Sequence, residues 1–450
     1  MDSRLVSYSQ RIPHLDPALF LRQSQGVERF YWHHQDAQHD ETVYAGAGIA
    51  AEFTAWGDER FRSIRDKAAD LFANVVLLNE DASAARPRLF GGFSFRSDFV
   101  TENTWAAFAP AYFVLPHYQL TQVDNETWLT INVQVGEGED FVADDLRAAL
   151  EARNAVLVGA QRAAPLHDNP LSEITYPMSF DAWADIITDA TDRMKAGDLQ
   201  KVVLSRVCEL RFEDRVDIDS ALDDLRERYG SCYVFLFEPS PHLAFYGATP
   251  ELLVRVEGRD IETMALAGSI RRGATAAEDE ALAHDLLDDP KNRQEHAFVA
   301  DAVRARLAPL TASLDIPAEP GIMRLTNIQH LYTPVRGTLK TVSGVLPLVE
   351  TLHPTPAMGG VPQAKAMDYI ARAEPVPRGW YASPVGWIDH NLDGAFAVAI
   401  RSAISQNERV WLYAGAGIVA DSDPQKEWDE TALKFKPMLH ALGAETYARA

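Results

Sequence analysis

The sequence predicts an α+β protein whose sheet is mainly antiparallel. Short apolar runs are separated by Pro, Asn and Gly signals at hairpin spacing, as in 89–95, 111–115 and 128–135. Such spacing is typical of antiparallel strands. Apolar stripes of helical period occur at 59–73 and 180–194, but strands and helices do not alternate in a regular βαβ repeat. By length alone, 450 residues allow two or three domains. Residues 159–177 are rich in Gly, Ala, Pro, Asn and Ser, which predicts a linker.

The composition argues against several classes of protein. A formal net charge of -23 and a pI near 4.9 argue against nucleic acid or an anionic membrane surface as partner. No apolar run reaches the roughly 18 residues that span a bilayer, and the first residues lack the pattern of a signal peptide. We therefore expect a soluble, cytoplasmic protein. Cys208 and Cys232 lie in apolar β-like runs, which predicts two buried free thiols.

A glycine-rich stretch near the C-terminus carries the first indication of chemistry. An apolar run, 410–413, is followed by Gly415, Ala416 and Gly417, which we interpret as a turn. Backbone N–H groups in such a turn could bind a carboxylate.

The residues that follow predict a helix with an acidic face. Asp423 and Pro424 supply a cap and an N-terminal proline. Glu427, Glu430 and Lys434 follow at spacings of three and four, so they share one face of the helix. Two glutamates beside an anion-binding turn suggest a site for an anionic substrate and a hard divalent cation.

The glycine-rich stretch has a near copy at the other end of the chain. Tyr-Ala-Gly-Ala-Gly-Ile-Ala-Ala (44–51) matches Tyr-Ala-Gly-Ala-Gly-Ile-Val-Ala (413–420). One short match can arise by chance in an alanine-rich chain, and it can also mark two structurally related halves. No glutamate pair follows the first copy, so only the second is expected to carry chemistry.

Three further positions are notable, although each is weak alone. Lys201 begins a predicted strand, and Glu251 follows a Thr-Pro turn. Glu295 stands at the edge of an apolar helical stripe, where a carboxylate needs a partner and a metal would serve.

The order of these pieces resembles the chorismate-utilising enzymes, which include isochorismate, salicylate, anthranilate and aminodeoxychorismate synthases. The motifs that carry the resemblance are Lys-Val-Val-Leu-Ser-Arg (201–206), Gly-Ala-Thr-Pro-Glu-Leu-Leu (247–253), Ala-Leu-Ala-Gly-Ser-Ile-Arg (265–271), Glu-His (295–296), His-Leu-Tyr-Thr-Pro (330–334), His-Pro-Thr-Pro-Ala (353–357) and the C-terminal stretch. The resemblance covers about residues 178–442. It implies one large domain of stacked, mainly antiparallel sheets flanked by helices, with an N-terminal half (1–170), a catalytic region (178–442) and Mg²⁺ in a cleft.

The resemblance also implies an acid and a base. Lys201 matches the general base that activates water in isochorismate and salicylate synthases, a position where anthranilate synthase typically carries glutamine. Water added at C2 of chorismate, with loss of the C4 hydroxyl, needs a base on one side and an acid on the other. We therefore expect a neutral Lys201 and a protonated Glu251, each the reverse of its unperturbed state.

The remaining site residues are likewise assigned by resemblance. Glu295 and Glu430 would bind Mg²⁺ directly, with Glu427 nearby or acting through water. The ring carboxylate would be held by the metal, the 415–417 segment and Lys434. The other substrate-binding residues implied are Arg401 with Tyr381 at the enolpyruvyl carboxylate, Gly268 and Ser269 on the C4 side, His330, and Ala357.

The choice of reaction depends on a few positions. Ala357-Met358 follows the small-then-aliphatic pattern of isochorismate synthases and favours them over salicylate synthase. Aminodeoxychorismate synthase is a weaker alternative, since its lysine can also match Lys201. No cysteine lies in a nucleophile-elbow context, and we expect a monomer without a glutamine amidotransferase subunit. An inactive binding protein would have lost the base, the acid or a metal ligand. The pathway, whether menaquinone, catecholate siderophore or salicylate, is left open.

Overall fold

A computed structural model of the protein describes residues 4–35, 41–79, 81–101, 103–136, 142–159 and 169–445. Within these ranges no helix is both long enough and apolar enough to cross a membrane. Cys208 and Cys232 are buried free thiols, as predicted.

The described residues form twenty-one strands. These are β1 (Arg4–Ile12), β2 (Arg29–Gln35), β3 (Glu41–Ala55), β4 (Val76–Leu78), β5 (Arg88–Phe93), β6 (Ala111–Val123), β7 (Glu126–Val135), β8 (Leu171–Thr175), β9 (Lys201–Phe212), β10 (Tyr233–Ser240), β11 (Leu243–Thr249), β12 (Leu252–Glu257), β13 (Asp260–Arg271), β14 (Thr311–Asp315), β15 (Gly321–Arg324), β16 (Ile328–Leu339), β17 (Gly360–Val361), β18 (Pro384–Asp389), β19 (Gly394–Val398), β20 (Ser402–Gln406) and β21 (Arg409–Ile418).

The described ranges also contain ten α-helices. These are α1 (Pro17–Arg22), α2 (Arg60–Ala73), α3 (Ala143–Gly159), α4 (Phe180–Lys195), α5 (Ile218–Arg228), α6 (Ala276–Asp288), α7 (Pro290–Leu307), α8 (Leu346–Leu352), α9 (Gln363–Ala373) and α10 (Pro424–Ala441), with short 3-10 turns at Ser83–Ala85 and Asn103–Trp105.

The predicted α+β class with an antiparallel sheet is confirmed. All strand pairings of the described residues are antiparallel except that of β1 with β4. The predicted helices at 59–73 and 180–194 appear as α2 and α4, and the Ser179 hydroxyl caps α4 by accepting from the Ala182 N–H. The linker predicted at 159–177 is wrong at 171–175, where β8 pairs with β9. Residues 160–168 lie outside the described ranges.

The sheet has a symmetric central order. Neighbouring strands follow β6–β3–β2–β10–β11–β20–β21–β9, so that equal numbers of strands lie on each side of the β10–β11 hairpin. Phe235 pairs with Gly247 at the centre of this hairpin. A twofold rotation that exchanges Phe235 and Gly247 also places the His33–Val43 pair of β2 and β3 on the Ala403–Leu412 pair of β20 and β21. The strand register therefore has the same symmetry as the strand order. The motif copies begin one residue later, at 44 and 413. They lie at related places, as two related halves require.

The two parts of the chain share this sheet. β2 pairs with β10, and β5 pairs with β18, so strands from residues before 170 are hydrogen-bonded to strands from residues after 178. Buried apolar residues from both parts make up each large core cluster.

Two helices position the residues of interest. α7 packs against β13, and α10 packs against β21. α10 starts at Pro424 with the Asp423 side chain as its cap, as predicted. Its inner face is held by Arg206 of β9, whose Nε donates to Thr431 Oγ1 at 2.7 Å and whose guanidinium lies 3.6 Å from the Trp428 ring centroid. The adjacent face of α10 bears Glu427, Glu430 and Lys434 and is directed toward the candidate site.

A buried ion cluster joins the two parts of the chain. Arg29 of β2 donates to Asp219 of α5 at 2.7 Å and also to Glu238 of β10, and all three side chains are nearly inaccessible to water. Removing one partner of a buried ion pair leaves an uncompensated charge and usually costs about 3–5 kcal/mol.

We expect Arg29→Leu to lower the free energy of unfolding by about 3–5 kcal/mol, because two buried carboxylates lose their cation. Chemical denaturation followed by circular dichroism measures the change. Arg11→Leu is the matched control, since Arg11 and Glu126 form an exposed pair worth less than about 1 kcal/mol. Equal stabilities of the two variants would contradict the role given to Arg29.

Candidate functional site

A cleft opens where β9, β13, β16 and β21 meet α7 and α10. Most residues predicted from the sequence line it, namely Glu251, Gly268, Ser269, Glu295, His330, Ala357, Tyr381, Arg401, Gly415, Gly417, Glu430 and Lys434. Of the other predicted residues, Lys201 and Glu427 are buried and do not line the cleft, and Ala416 packs in the aromatic core.

The segment 415–417 is a strand, and the turn predicted there is wrong. Gly415 and Gly417 belong to β21 and pair with Ser205 and Val203 of β9. Side chains alternate along a strand, so Ala416 points into the aromatic core while its two neighbours face the cavity. The Gly415 carbonyl accepts from Lys434 Nζ at 2.8 Å. Glycine and alanine have weak strand propensity, and long-range pairing with β9 overrides the local turn signal.

The glycine at 417 creates room for two charged groups. A Cβ atom at this position would lie 2.1 Å from Glu295 Oε1 and 3.3 Å from Lys201 Cε. Lys201 is fully buried at the start of β9, and its Nζ donates to Glu295 Oε1 at 3.0 Å. The absence of a side chain at Gly417 therefore allows a lysine from the sheet and a glutamate from α7 to form a contact at the cavity.

Glu251 is the buried acid of the site. It follows β11, and its backbone N–H donates to Thr249 Oγ1 at 3.3 Å while its carbonyl accepts from Val398. Burial raises the pKa of its carboxyl from 4.5 to about 8, with Lys201 and Lys434 acting in the opposite direction. The carboxyl thus keeps its proton at neutral pH, in the direction predicted.

Three carboxylates at the site each face a lysine. Besides the Lys201–Glu295 pair, Lys291 contacts Glu427 at 2.8 Å and Lys434 contacts Glu430 at 2.7 Å. Among the described residues, no group of three or more His, Cys, Asp or Glu side chains converges closely enough to hold a metal ion. Carboxylate oxygens are nevertheless the donors that a hard divalent cation prefers. The donor chemistry fits Mg²⁺, provided that carboxylates exchange a lysine for the metal.

The two α10 carboxylates differ in their electrostatics. Burial and the neighbouring Glu430 raise the pKa of Glu427, with Lys291 opposing. For Glu430, burial acts to raise the pKa, but Lys434 and Lys291 outweigh it and the pKa lies below its usual range. Of the two, Glu430 is therefore the readier to stay ionised and bind a cation.

A buried guanidinium and a phenol lie on another wall. Arg401 is 6% exposed and has a φ of +51°, a backbone conformation that a non-glycine residue seldom adopts. Burial lowers the pKa of Arg401, although an arginine keeps its charge in proteins. Burial raises the pKa of Tyr381 to about 12, so the phenol keeps its proton. The Tyr381 ring stacks on Tyr413 with centroids 5.1 Å apart. Strain of this kind is common where a side chain must face a ligand.

His330 presents a bare nitrogen at the cavity. Its Nδ1 lies 3.2 Å from the Gly268 carbonyl and 3.1 Å from Ser269 Oγ. A carbonyl only accepts, so the proton is assigned to Nδ1. Burial lowers the pKa of His330 well below its usual value, and the ring is neutral. Nε2 is buried without a hydrogen-bond partner among the described residues and, as the unprotonated nitrogen, can accept a hydrogen bond.

Sequence reasoning missed three residues at the site. Arg378 lines the cavity, pairs with Glu374 at 2.5 Å and donates to the carbonyls of Val203 and Met358. Tyr413 also lines it, and Lys291 is the counter-ion of Glu427. Lys291 precedes Glu295 by one helical turn, which was a local signal, but Arg378 has no comparable pattern.

The raised pKa of Glu251 predicts a pH dependence of stability. Between pH 4.5 and 8 the unfolded chain releases a proton that the folded protein keeps, so raising the pH destabilises the fold by at most about 1.4 kcal/mol per pH unit. Glu251→Gln removes this contribution, and its melting temperature should fall less than that of the wild type between pH 5 and 8. Parallel curves for the two proteins would contradict the buried, protonated state.

Comparisons with known proteins show the family of the chain. A family model described as a chorismate binding enzyme matches residues 1–443. The chain is 35% identical to isochorismate synthase MenF of Bacillus subtilis, over 98% of this chain and 94% of the relative. It is also 35% identical to the salicylate biosynthesis isochorismate synthase of Pseudomonas aeruginosa, over 98% and 90%.

Solved structures give the same result. The menaquinone-specific isochorismate synthase MenF of Escherichia coli matches with a TM-score of 0.81 and 26% identity, covering 98% of this chain and 95% of that one. Component I of anthranilate synthase from Streptococcus pneumoniae, at 21% identity and a TM-score of 0.69, shares the fold. With a family model spanning nearly all its residues and relatives aligned from end to end, the chain belongs to the chorismate-binding enzymes.

Proposed function

We propose that the protein is an isochorismate synthase, which isomerises chorismate to isochorismate. Lys201 takes a proton from water as the water oxygen bonds to C2 of the ring. Glu251 gives its proton to the C4 hydroxyl, and the C4–O bond breaks with release of water. One water enters and one leaves, so the reaction is an isomerisation.

The observation that carries the proposal is the protonated Glu251. A carboxyl with a pKa of about 8 holds at neutral pH the proton that a general acid needs. Lys201 is buried at the same cavity beside Glu295 and, in its neutral form, is the proposed base. A lysine at this position supports water as the nucleophile rather than ammonia.

The substrate carboxylates would be bound at opposite walls. Arg401 with Tyr381 would hold the enolpyruvyl carboxylate, since a guanidinium can bind a carboxylate through two hydrogen bonds. The edge of β21 at 415–417 and Lys434 would face the ring carboxylate. The C4 hydroxyl would lie beside Gly268 and Ser269, within reach of the bare His330 Nε2.

Mg²⁺ is part of the proposal. Glu295 and Glu430 would hold it, with Glu427 nearby or acting through water. When bound, it would supply positive charge to the ring carboxylate. Glu430 supports this assignment, because its pKa is lowered and its side chain lines the cavity.

The names of the relatives support the reaction but differ in pathway. One is named for salicylate biosynthesis and one solved structure is menaquinone-specific, so the product's destination is not part of the proposal.

We further propose that residues 1–170 form the N-terminal half and 178–442 the catalytic region. The protein would act as a cytoplasmic monomer, without a glutamine amidotransferase subunit. Size-exclusion chromatography with light scattering tests the monomer.

The reaction is tested with purified protein, chorismate and Mg²⁺, with products separated by chromatography and identified by mass. Isochorismate without added ammonia is the expected product. Salicylate with pyruvate would instead favour salicylate synthase, an outcome that the aliphatic Ala357-Met358 pair at the cavity disfavours. Anthranilate formed only with ammonia would contradict both, and no turnover at all would favour a binding protein.

Lys201→Ala should reduce kcat by about 10²–10⁴-fold, the usual contribution of a positioned base. Circular dichroism is expected to show a retained fold. Lys365→Ala is the control, because Lys365 pairs with Asp198 at the surface, outside the cavity lining. Normal turnover of the Lys201 variant would show that another group is the base.

Glu430→Gln should raise the Mg²⁺ concentration for half-maximal activity by at least about tenfold, since changes around a metal commonly cost 10–100-fold in affinity. Asp429→Asn is the control, one residue earlier on α10 and exposed. An unchanged Mg²⁺ titration for the Glu430 variant would remove this residue from the metal site.

A further inference from the structure

Lys291 occupies a place where its charge is locally unfavourable. It is the second residue of α7, next to Pro290 at the helix start. The N-terminus of a helix carries partial positive charge, so a lysine there is disfavoured by the helix itself. Tertiary contacts must explain why the side chain is held at this position.

Those contacts are the proposed metal-binding carboxylates. Lys291 Nζ lies 2.8 Å from Glu427 Oε1, and the next acidic groups that act on it are Glu295 and Glu430. The Glu427 side chain is 1% exposed, whereas that of Lys291 is 32% exposed. The Lys291 ammonium thus lies near the carboxylates of Glu427, Glu295 and Glu430, and part of its side chain is exposed to solvent.

Lys291 differs from the other two lysines of the site. Lys201 and Lys434 have roles in the proposed reaction, as the base and at the ring carboxylate. Lys291 does not line the cavity, and no step of the reaction uses it.

We propose that Lys291 is an internal cation that holds Glu427 in the metal-free protein and competes with Mg²⁺ for the carboxylate cluster. This inference rests on the Mg²⁺ site of the proposed function. A buried carboxylate without a partner is costly, and Lys291 removes that cost when no metal is bound. The ammonium must give up Glu427, or share its charge, when a divalent ion enters. Lys291 therefore weakens Mg²⁺ binding and stabilises the empty site.

Isothermal titration calorimetry of Mg²⁺ into the full-length protein, without substrate, tests the competition. Lys291→Met should bind Mg²⁺ about tenfold more tightly than the wild type, the size of one charge-assisted contact. Lys291→Arg keeps the competing charge and should bind with nearly wild-type affinity. Lys365→Met is the control for loss of a lysine elsewhere, because it changes the net charge equally. Equal or weaker binding by Lys291→Met would overturn the proposal.

Thermal unfolding gives a second readout that does not depend on turnover. Without Mg²⁺, Lys291→Met should melt below the wild type, because Glu427 loses its partner. Saturating Mg²⁺ should raise its melting temperature by more than it raises that of the wild type, since a tighter ligand stabilises more. An equal rise in both melting temperatures would count against competition.

Wild-type protein that binds no Mg²⁺ would contradict the proposed metal site, and this inference with it. Binding by the wild type together with unchanged binding by Lys291→Met would contradict this inference alone.

Discussion

The close approach of three chain segments at Gly417 is the constraint on which the site depends. A Cβ atom there would lie 2.1 Å from Glu295 Oε1, so any larger residue at 417 would displace the Glu295 carboxylate from its contact with Lys201. Because Gly417 of β21 has no side chain, Glu295 of α7 and Lys201 of β9 can form their ion pair at the cavity. α10 then brings Glu430 and Lys434 to the same edge, where Lys434 binds the Gly415 carbonyl. Small residues in a strand thus serve close approach rather than anion binding by a turn.

Charge is distributed unevenly between the surface and the cavity. The chain has a formal net charge of -23, yet its proposed substrate carries two carboxylates. Lys201, Lys434 and Arg378 each form an ion pair with a carboxylate, so among the described residues Arg401 is the cation of the lining that forms no ion pair. The carboxylates of the site are paired with lysines. Such pairing keeps a water-poor cleft free of uncompensated charge.

The first copy of the glycine motif illustrates how the same sequence serves two purposes. Gly46 lies at the place in β3 that corresponds to Gly415 in β21. A Cβ atom at Gly46 would lie 2.4 Å from the Pro116 ring, so a proline of β6 fills the space that is open cavity in the second half. The motif therefore belongs to the shared strand architecture. The chemistry comes from what packs against it, namely α7 and α10 in the C-terminal part.

The sequence by itself determined the α+β class, the main helices, the start of α10 and the face that bears Glu427, Glu430 and Lys434. These features depend on local periodicity and capping, which neighbouring residues decide. Only the tertiary structure decided that 415–417 is a strand, that Arg378 lines the cavity, and that Lys201 and Lys291 pair with Glu295 and Glu427. The paired residues are 94 and 136 positions apart, so strand register and helix packing set their distances. The pKa of Glu251 likewise depends on burial by distant segments, because desolvation is a property of the folded surroundings.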